Sequence, residues 1–212
     1  MRVRAPTAAI LAWVVVMAGC GPTPPSTTTS ASLSASPVPP SISDAPSSGT
    51  ASPSAATGAV AVDASLLEIL PADIDGQALR PDPDTAGEIA ADEDLAPDIE
   101  AIAVGLYIRP GSSTEAEGLA IVNIARLRPG VFDQAWFRSW RSTYDQGASQ
   151  VAGGVTPGGA ETRIGAHDTH IGTCEGGVHT YHVHLMSPDR VISITAAGEG
   201  RIGERVVAGL TE

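Results

Sequence analysis

Residues 21–58 read GPTPPSTTTSASLSASPVPPSISDAPSSGTASPSAATG, 38 residues with one charged side chain, Asp44, and no apolar periodicity. A segment of this kind buries too little apolar surface to offset the entropy lost on ordering, so it is expected to remain disordered. The folding problem is thereby confined to residues 60–212, enough chain for one domain with one sizeable core. A Pro/Ser/Thr-rich spacer in a mostly extended conformation reaches on the order of 100 Å, and its composition also permits O-glycosylation.

Ahead of the spacer stand Arg2 and Arg4 and the apolar run AAILAWVVVMAG. This run is short for a membrane span but suits the core of a signal peptide. It ends in Met17-Ala18-Gly19-Cys20, and small residues just before a cysteine resemble the lipobox of bacterial lipoproteins. The resemblance covers the N-terminus alone. It implies a signal peptide over 1–19, a diacylated Cys20, a tether over 20–59, and a single domain over 60–212 held at the extracytoplasmic face of the cell membrane.

Charge narrows the partners. The chain carries 24 acidic residues against 12 basic ones, a net charge of −12, and every basic residue is an arginine. Such a surface lacks the basic footprint that nucleic acid requires. Electrostatic docking on anionic lipid is equally disfavoured, so the acyl anchor must carry the membrane attachment. With Cys20 lipidated, Cys174 has no intramolecular partner; a buried inert thiol is the commonest state, an intermolecular bridge or a ligand the alternatives.

Residues 63–100 hold 12 acidic side chains and one arginine. Capping-box spacing at Ser65/Glu68 and Thr85/Glu88, and Pro97 ahead of Asp98 and Glu100, predict three short acidic helices. VGLYI (104–108) and GLAIVNIARL (118–127) then read as a hairpin around a polar loop. A long helix follows, with Asp133 as N-cap and Phe132 and Phe137 as a hydrophobic staple. Phe132, Trp136, Trp140 and Tyr144 mark its apolar side, with Asp133, Gln134, Arg138, Arg141 and Asp145 on the other. After a Gly-rich connection over 146–161 come the strand-like runs TRIGA, THIGTC, VHTYHVHLM and VISITAA. A closing helix over 201–210 places Ile202, Val206 and Leu210 on one face. The expected class is α+β: a mostly antiparallel sheet with helices packed on it, in two ββα-like halves preceded by the acidic helices. This order resembles the PsbP-like α/β sandwich of some actinobacterial lipoproteins such as the LpqN group, a resemblance that implies a fold and no activity.

All five histidines and Cys174 fall within HDTHIGTCEGGVHTYHVH, residues 167–184, a density that suggests Zn²⁺ or Cu²⁺. A two-residue turn at Gly176-Gly177 would set Cys174 opposite His179. Alternation would then place His170, Cys174 and His179 on one face, His182 and His184 on the other, and His167 in the preceding loop. Two small candidate sites follow. His182 and His184 need a carboxylate from elsewhere, and Cys174 with His179 forms a second pair. The competing structural reading makes Tyr181, Val183 and Leu185 the core stripe and leaves His182 and His184 under a helix.

Other motifs carry less. The aromatics of the long helix read as core rather than as a carbohydrate or lipid pocket. PADIDGQALRPD (71–82) has calcium-loop spacing but begins with a proline, which cannot supply the first ligand. No phosphate-binding loop, GxSxG or HExxH is present. The sequence therefore points to a lipid-anchored protein of binding or interaction type, with no cofactor expected and no catalytic signature. Its partner would be an envelope component, a protein or a small apolar ligand. Metal binding through 167–184 is the alternative, and a thiol-dependent enzyme using Cys174 the second alternative.

Overall fold

The computed structural model describes residues 58–108, 118–152, 155–198 and 200–211, with the backbone alone for 155–158. The leader, Cys20, the stretch read as a tether and the polar loop 109–117 lie outside the described residues. The described chain forms one nine-stranded sheet. Its strands are β1 (Ala61–Val62), β2 (Asp73–Ile74), β3 (Gln77–Pro81), β4 (Ile99–Ile108), β5 (Leu119–Leu127), β6 (Val155–Ile164), β7 (His167–Cys174), β8 (His179–Met186) and β9 (Asp189–Ala197). The spatial order is β2-β3-β4-β5-β9-β8-β7-β6, antiparallel throughout, and β1 adds a parallel pairing to β4. Helices α1 (Pro83–Ala90), α2 (Gln134–Val151) and α3 (Ile202–Ala208) and a 3-10 helix over Ala64–Ile69 pack on it. The α+β class and the mostly antiparallel sheet hold.

Period-two alternation divides the apolar residues between two cores. On one face Ala103, Tyr107, Val122, Ile124, Ile192 and Ile194 pack under α3 and the 3-10 helix, together with the Tyr181, Val183 and Leu185 stripe of β8. On the other, Ile102, Val104, Ala125 and Val191 pack under α1 and the start of α2. Ile99 joins the second core although its odd number matches the first, because a bulge between Ile99 and Ala101 shifts the parity of β4. Strands covered on both faces read as near-continuous apolar runs, and so VGLYI and VISITAA do.

Helix α2 begins as its sequence directs. The Asp133 side chain accepts from the backbone N–H groups of Ala135 and Trp136, both at 2.7 Å. Phe132 and Phe137 meet at a centroid distance of 5.8 Å, the staple across the first turn. The closing helix likewise buries Ile202, Val206 and Leu210.

Several expectations are overturned. Asp63, not Ser65, caps the first segment, which is a 3-10 helix; Asp82, not Thr85, caps α1, with Pro83 at its first position. Both aspartates precede the residue that capping-box spacing singles out, and each accepts from that residue's N–H at 3.1 Å. The third acidic helix does not exist: a turn leads into β4 at Ile99, where burial of Ile99, Ala101 and Ile102 outweighs the helix-start signal of Pro97. The two ββα halves are not found, because four consecutive strands, β6 to β9, precede α3. The Gly-rich connection is instead the last turns of α2 and the start of β6.

Candidate functional site

The histidine hairpin is displaced by one residue from its expected register. Glu175–Gly177 form a 3-10 turn in which Gly176 and Gly177 take φ values of 70° and 76°, and the Cys174 N–H donates to the Val178 carbonyl at 2.8 Å. The turn therefore holds more residues than a two-residue hairpin, and Thr173, not Cys174, stands opposite His179. Because side chains alternate, this single step exchanges the faces of one strand relative to the other. His170 now pairs directly with His182, on the same face. Cys174 and His179 are separated to opposite faces, so the expected Cys174–His179 pair does not form. His167 opens β7 and is buried rather than lying in a loop.

The pairing builds a polar row across five strands. Asn123 on β5 pairs with Ser193 on β9, Ser193 with His182 on β8, His182 with His170 on β7, and His170 with Glu161 on β6. Helix α2 covers it. Trp140 Nε1 donates to Ser193 Oγ at 3.0 Å, and Asn123 Nδ2 donates to the Tyr144 hydroxyl at 2.8 Å. Asp145 accepts from Thr180 Oγ1 at 2.5 Å and lies 2.9 Å from His182 Nε2 and 3.9 Å from His170 Nε2. Arg141 Nη1 meets Glu161 at 3.4 Å. Asp145 was expected on the outer side of α2. It faces inward because Gly172, beneath it, has no side chain: a Cβ there would stand 2.9 Å from Asp145 Oδ1 and 2.3 Å from Thr180 Oγ1.

Hydrogen-bond accounting selects one tautomer. Ser193 Oγ accepts from Trp140, which leaves its hydrogen for His182 Nδ1, 3.0 Å away. Nε2–H of His182 then donates to Asp145, and both ring nitrogens are used. Burial on its own would push the Asp145 carboxyl up, but the His182 hydrogen bond and charge, the Thr180 hydroxyl and His170 together hold it below the ordinary carboxylate value. His170 is pushed down by burial and by the charges of Arg141 and His182, which Asp145 and Glu161 only partly offset. Burial raises the Tyr144 hydroxyl to about 12.

Asp145, His182 and Ser193 have the connectivity of a charge relay, yet His182 and Ser193 are fully buried and the serine oxygen is already engaged by Trp140. As it stands, the row is a clamp between helix and sheet. His184 shares this face with His182 but has separate partners. It stacks on Phe132 at 3.4 Å and bonds Asp189 at 3.2 Å. Among the described residues no group of three or more His, Cys, Asp and Glu side chains is spaced to hold a metal ion. Cys174 is buried, 2.7 Å from Ser149 Oγ, and burial pushes its thiol up, the opposite of what a thiolate nucleophile needs.

The space for a ligand lies elsewhere. A cleft of about 1160 Å³ opens on the α3 side of the sheet, between the first turn of α3, the β7–β8 turn and the end of α2. Trp136 and Trp140, the aromatics nearest to a pocket in the sequence reading, do not line it. They stack on each other at 5.5 Å and spend their indole N–H groups on Asp98 and Ser193. The cleft wall includes His179, Tyr181, Ile171, Ile202, Gln77 and Arg205.

Sequence reasoning missed Asp145, Ser193, Gln77 and Arg205. A usable signal existed for Ser193 and Asn123, since a polar residue inside an apolar strand run on an inward position must find a buried partner. Gln77 and Arg205 had none, because their surroundings come from segments distant in sequence. Comparison with family models, with curated proteins and with solved structures finds no match for this chain.

Proposed function

We propose that this chain is a lipid-anchored binding protein displayed outside the cytoplasmic membrane. Cys20 carries the acyl anchor, the Pro/Ser/Thr-rich stretch is the tether, and the domain from Gly58 onward presents the cleft to a ligand. The cleft is the observation that carries the binding part. Its volume of about 1160 Å³ matches or exceeds that of small-molecule sites, and its wall mixes apolar residues with a few inward polar groups. The lipobox-like Met17-Ala18-Gly19-Cys20 carries the anchor.

The two parts are tested together in the native host. The full chain should incorporate a clickable palmitate analogue and sediment with membranes, and Cys20→Ser should lose both; a labelled, membrane-bound Cys20→Ser chain would sink the anchor. Native mass spectrometry of the mild-detergent extract should show a small molecule retained by the chain and lost from Ala197→Trp, which fills the cleft. Equal spectra from the two chains would remove the cleft as the binding site.

Zn²⁺ or Cu²⁺ binding remains a second reading, favoured by one observation. The carboxylate that His182 needed from elsewhere is Asp145, and His170 stands beside it. A metal would have to displace the hydrogen bonds of His182 to Asp145 and Ser193. A rise in Tm at saturating metal would support it, and an unchanged Tm would remove it.

A further inference from the structure

Two buried polar atoms at the cleft have no partner among the described residues. Gln77 is 2 % exposed and its Oε1 accepts nothing; Arg205 Nε is also buried and donates to nothing. The two residues share one wall. Asp75, two positions before Gln77 across the β2–β3 turn, holds Arg205 Nη2 at 2.8 Å. An unmet acceptor and an unmet donor therefore face one space, where a native fold rarely leaves either unsatisfied.

The charges around them are cancelled locally. Arg205 pairs with Asp75, and Arg201 with Glu204. The cleft thus offers an anion no net positive field, in a chain whose net charge is −12. A phosphate or carboxylate would bring a further acceptor to Gln77 Oε1 and approach the Glu204 and Asp75 carboxylates. A hydrocarbon chain would leave both polar atoms buried and unmet. A hydroxyl both donates and accepts, and the C–H faces of a sugar ring suit the apolar surface of Ile171, Val178 and Ile202.

We infer that the cleft binds a neutral saccharide, with Gln77 Oε1 accepting from one sugar hydroxyl and Arg205 Nε–H donating to a neighbouring sugar oxygen. The inference rests on the binding reading above and names its ligand class. Gln77 and Arg205 are the specificity-determining pair.

The test uses the full-length lipidated chain in nanodiscs, with hydrogen–deuterium exchange to locate binding and calorimetry to measure it. The probes are a neutral disaccharide (N,N′-diacetylchitobiose), laurate and inorganic phosphate. The disaccharide is expected to bind and to protect the segments around Gln77, His179 and Ala197. Gln77→Leu should weaken it about tenfold, the value of one hydrogen bond, while leaving Tm unchanged or higher, because an orphaned buried acceptor is removed. Arg205→Lys keeps a cation for Asp75 but lacks Nε, and should weaken the disaccharide similarly. Disaccharide binding that is indifferent to both substitutions overturns the assignment of the pair. Laurate or phosphate protecting these segments while the disaccharide does not overturns the saccharide class and leaves the binding reading standing. No protection of the cleft by any probe overturns the inference, while the binding reading is judged separately by the molecule retained in the native extract.

Discussion

The Asp145 carboxylate, halfway along α2, stands 2.9 Å from Nε2 of His182, which is fully buried in the middle of β8. This contact joins the helix to the sheet through polar atoms, whereas α3 on the opposite face is held by apolar packing. Thr180 adds a second hydrogen bond to the same carboxylate, and Ser193 passes the network on to Trp140.

Asp145→Ala leaves the Thr180 hydroxyl and a His182 ring nitrogen buried without partners. The cost expected from such a loss is about 2–4 kcal/mol, read as a lower urea midpoint at unchanged m-value. Asp145→Asn should cost less, because its amide oxygen still accepts one bond. A change within about 0.5 kcal/mol for the alanine variant would mean that apolar contacts alone dock α2.

Acid should weaken the fold in two steps. His170 has a folded pKa lowered by burial and by Arg141 and His182, so folding favours its neutral form. That contribution is full above the unfolded histidine value near 6.5 and is lost as pH falls from there toward the lowered folded value. Asp145, also lowered, contributes fully above its unfolded value of 3.8 and loses that contribution as pH falls further, through its folded pKa. Urea midpoints between pH 8 and pH 3 should show wild type losing more than His170→Gln below about pH 6.5. The gap between wild type and Asp145→Asn should close only in the lower range. A wild type as acid-resistant as His170→Gln would remove the first step.

Close packing at α3 sets opposite signs for two glycine substitutions. A Cβ at Gly203 would sit 2.2 Å from the Tyr181 ring, so Gly203→Ala must push the helix off the core, at about 1–3 kcal/mol. At Gly87, inside α1, a Cβ meets nothing within 4 Å, and Gly87→Ala should stabilise by about 0.4–1 kcal/mol. Thermal melts of the two variants should therefore move in opposite directions.

The Cys174 thiol, raised by burial despite its contact with Ser149, should alkylate slowly in the native chain. Its iodoacetamide rate should stay below that of a free thiol at pH 8 and rise to that level only as urea unfolds the domain. Rapid native labelling at neutral pH would instead mark a reactive, accessible thiolate.

Much of the architecture was legible in advance. The start of α2 at Asp133, the β4–β5 hairpin, the four strands after residue 160 and the buried face of α3 all announce themselves in local periodicity and capping chemistry. The misplaced third helix shows the limit of that signal. Pro97 followed by acidic residues is a helix start only if the next residues prefer a helix face to a sheet, and Ile99 and Ile102 find deeper burial between strands. The candidate sites were less legible, since histidine spacing names the ligands without naming their neighbours.

The sequence alone determined which segments are strands and helices, that the acidic, lysine-free chain is no nucleic-acid binder, and that Tyr181, Val183 and Leu185 form one inward stripe. Only the tertiary structure decided the faces of the histidines. A turn closed by Gly176 and Gly177 moves β7 by one residue against β8, and with a side-chain period of two that step carries His170 to His182 and Cys174 away from His179. It also decided that Asp145 points inward, because the space it fills is made by Gly172 on another element. Local patterns set what a segment becomes. Register and apposition depend on contacts between distant segments, and there the site is made.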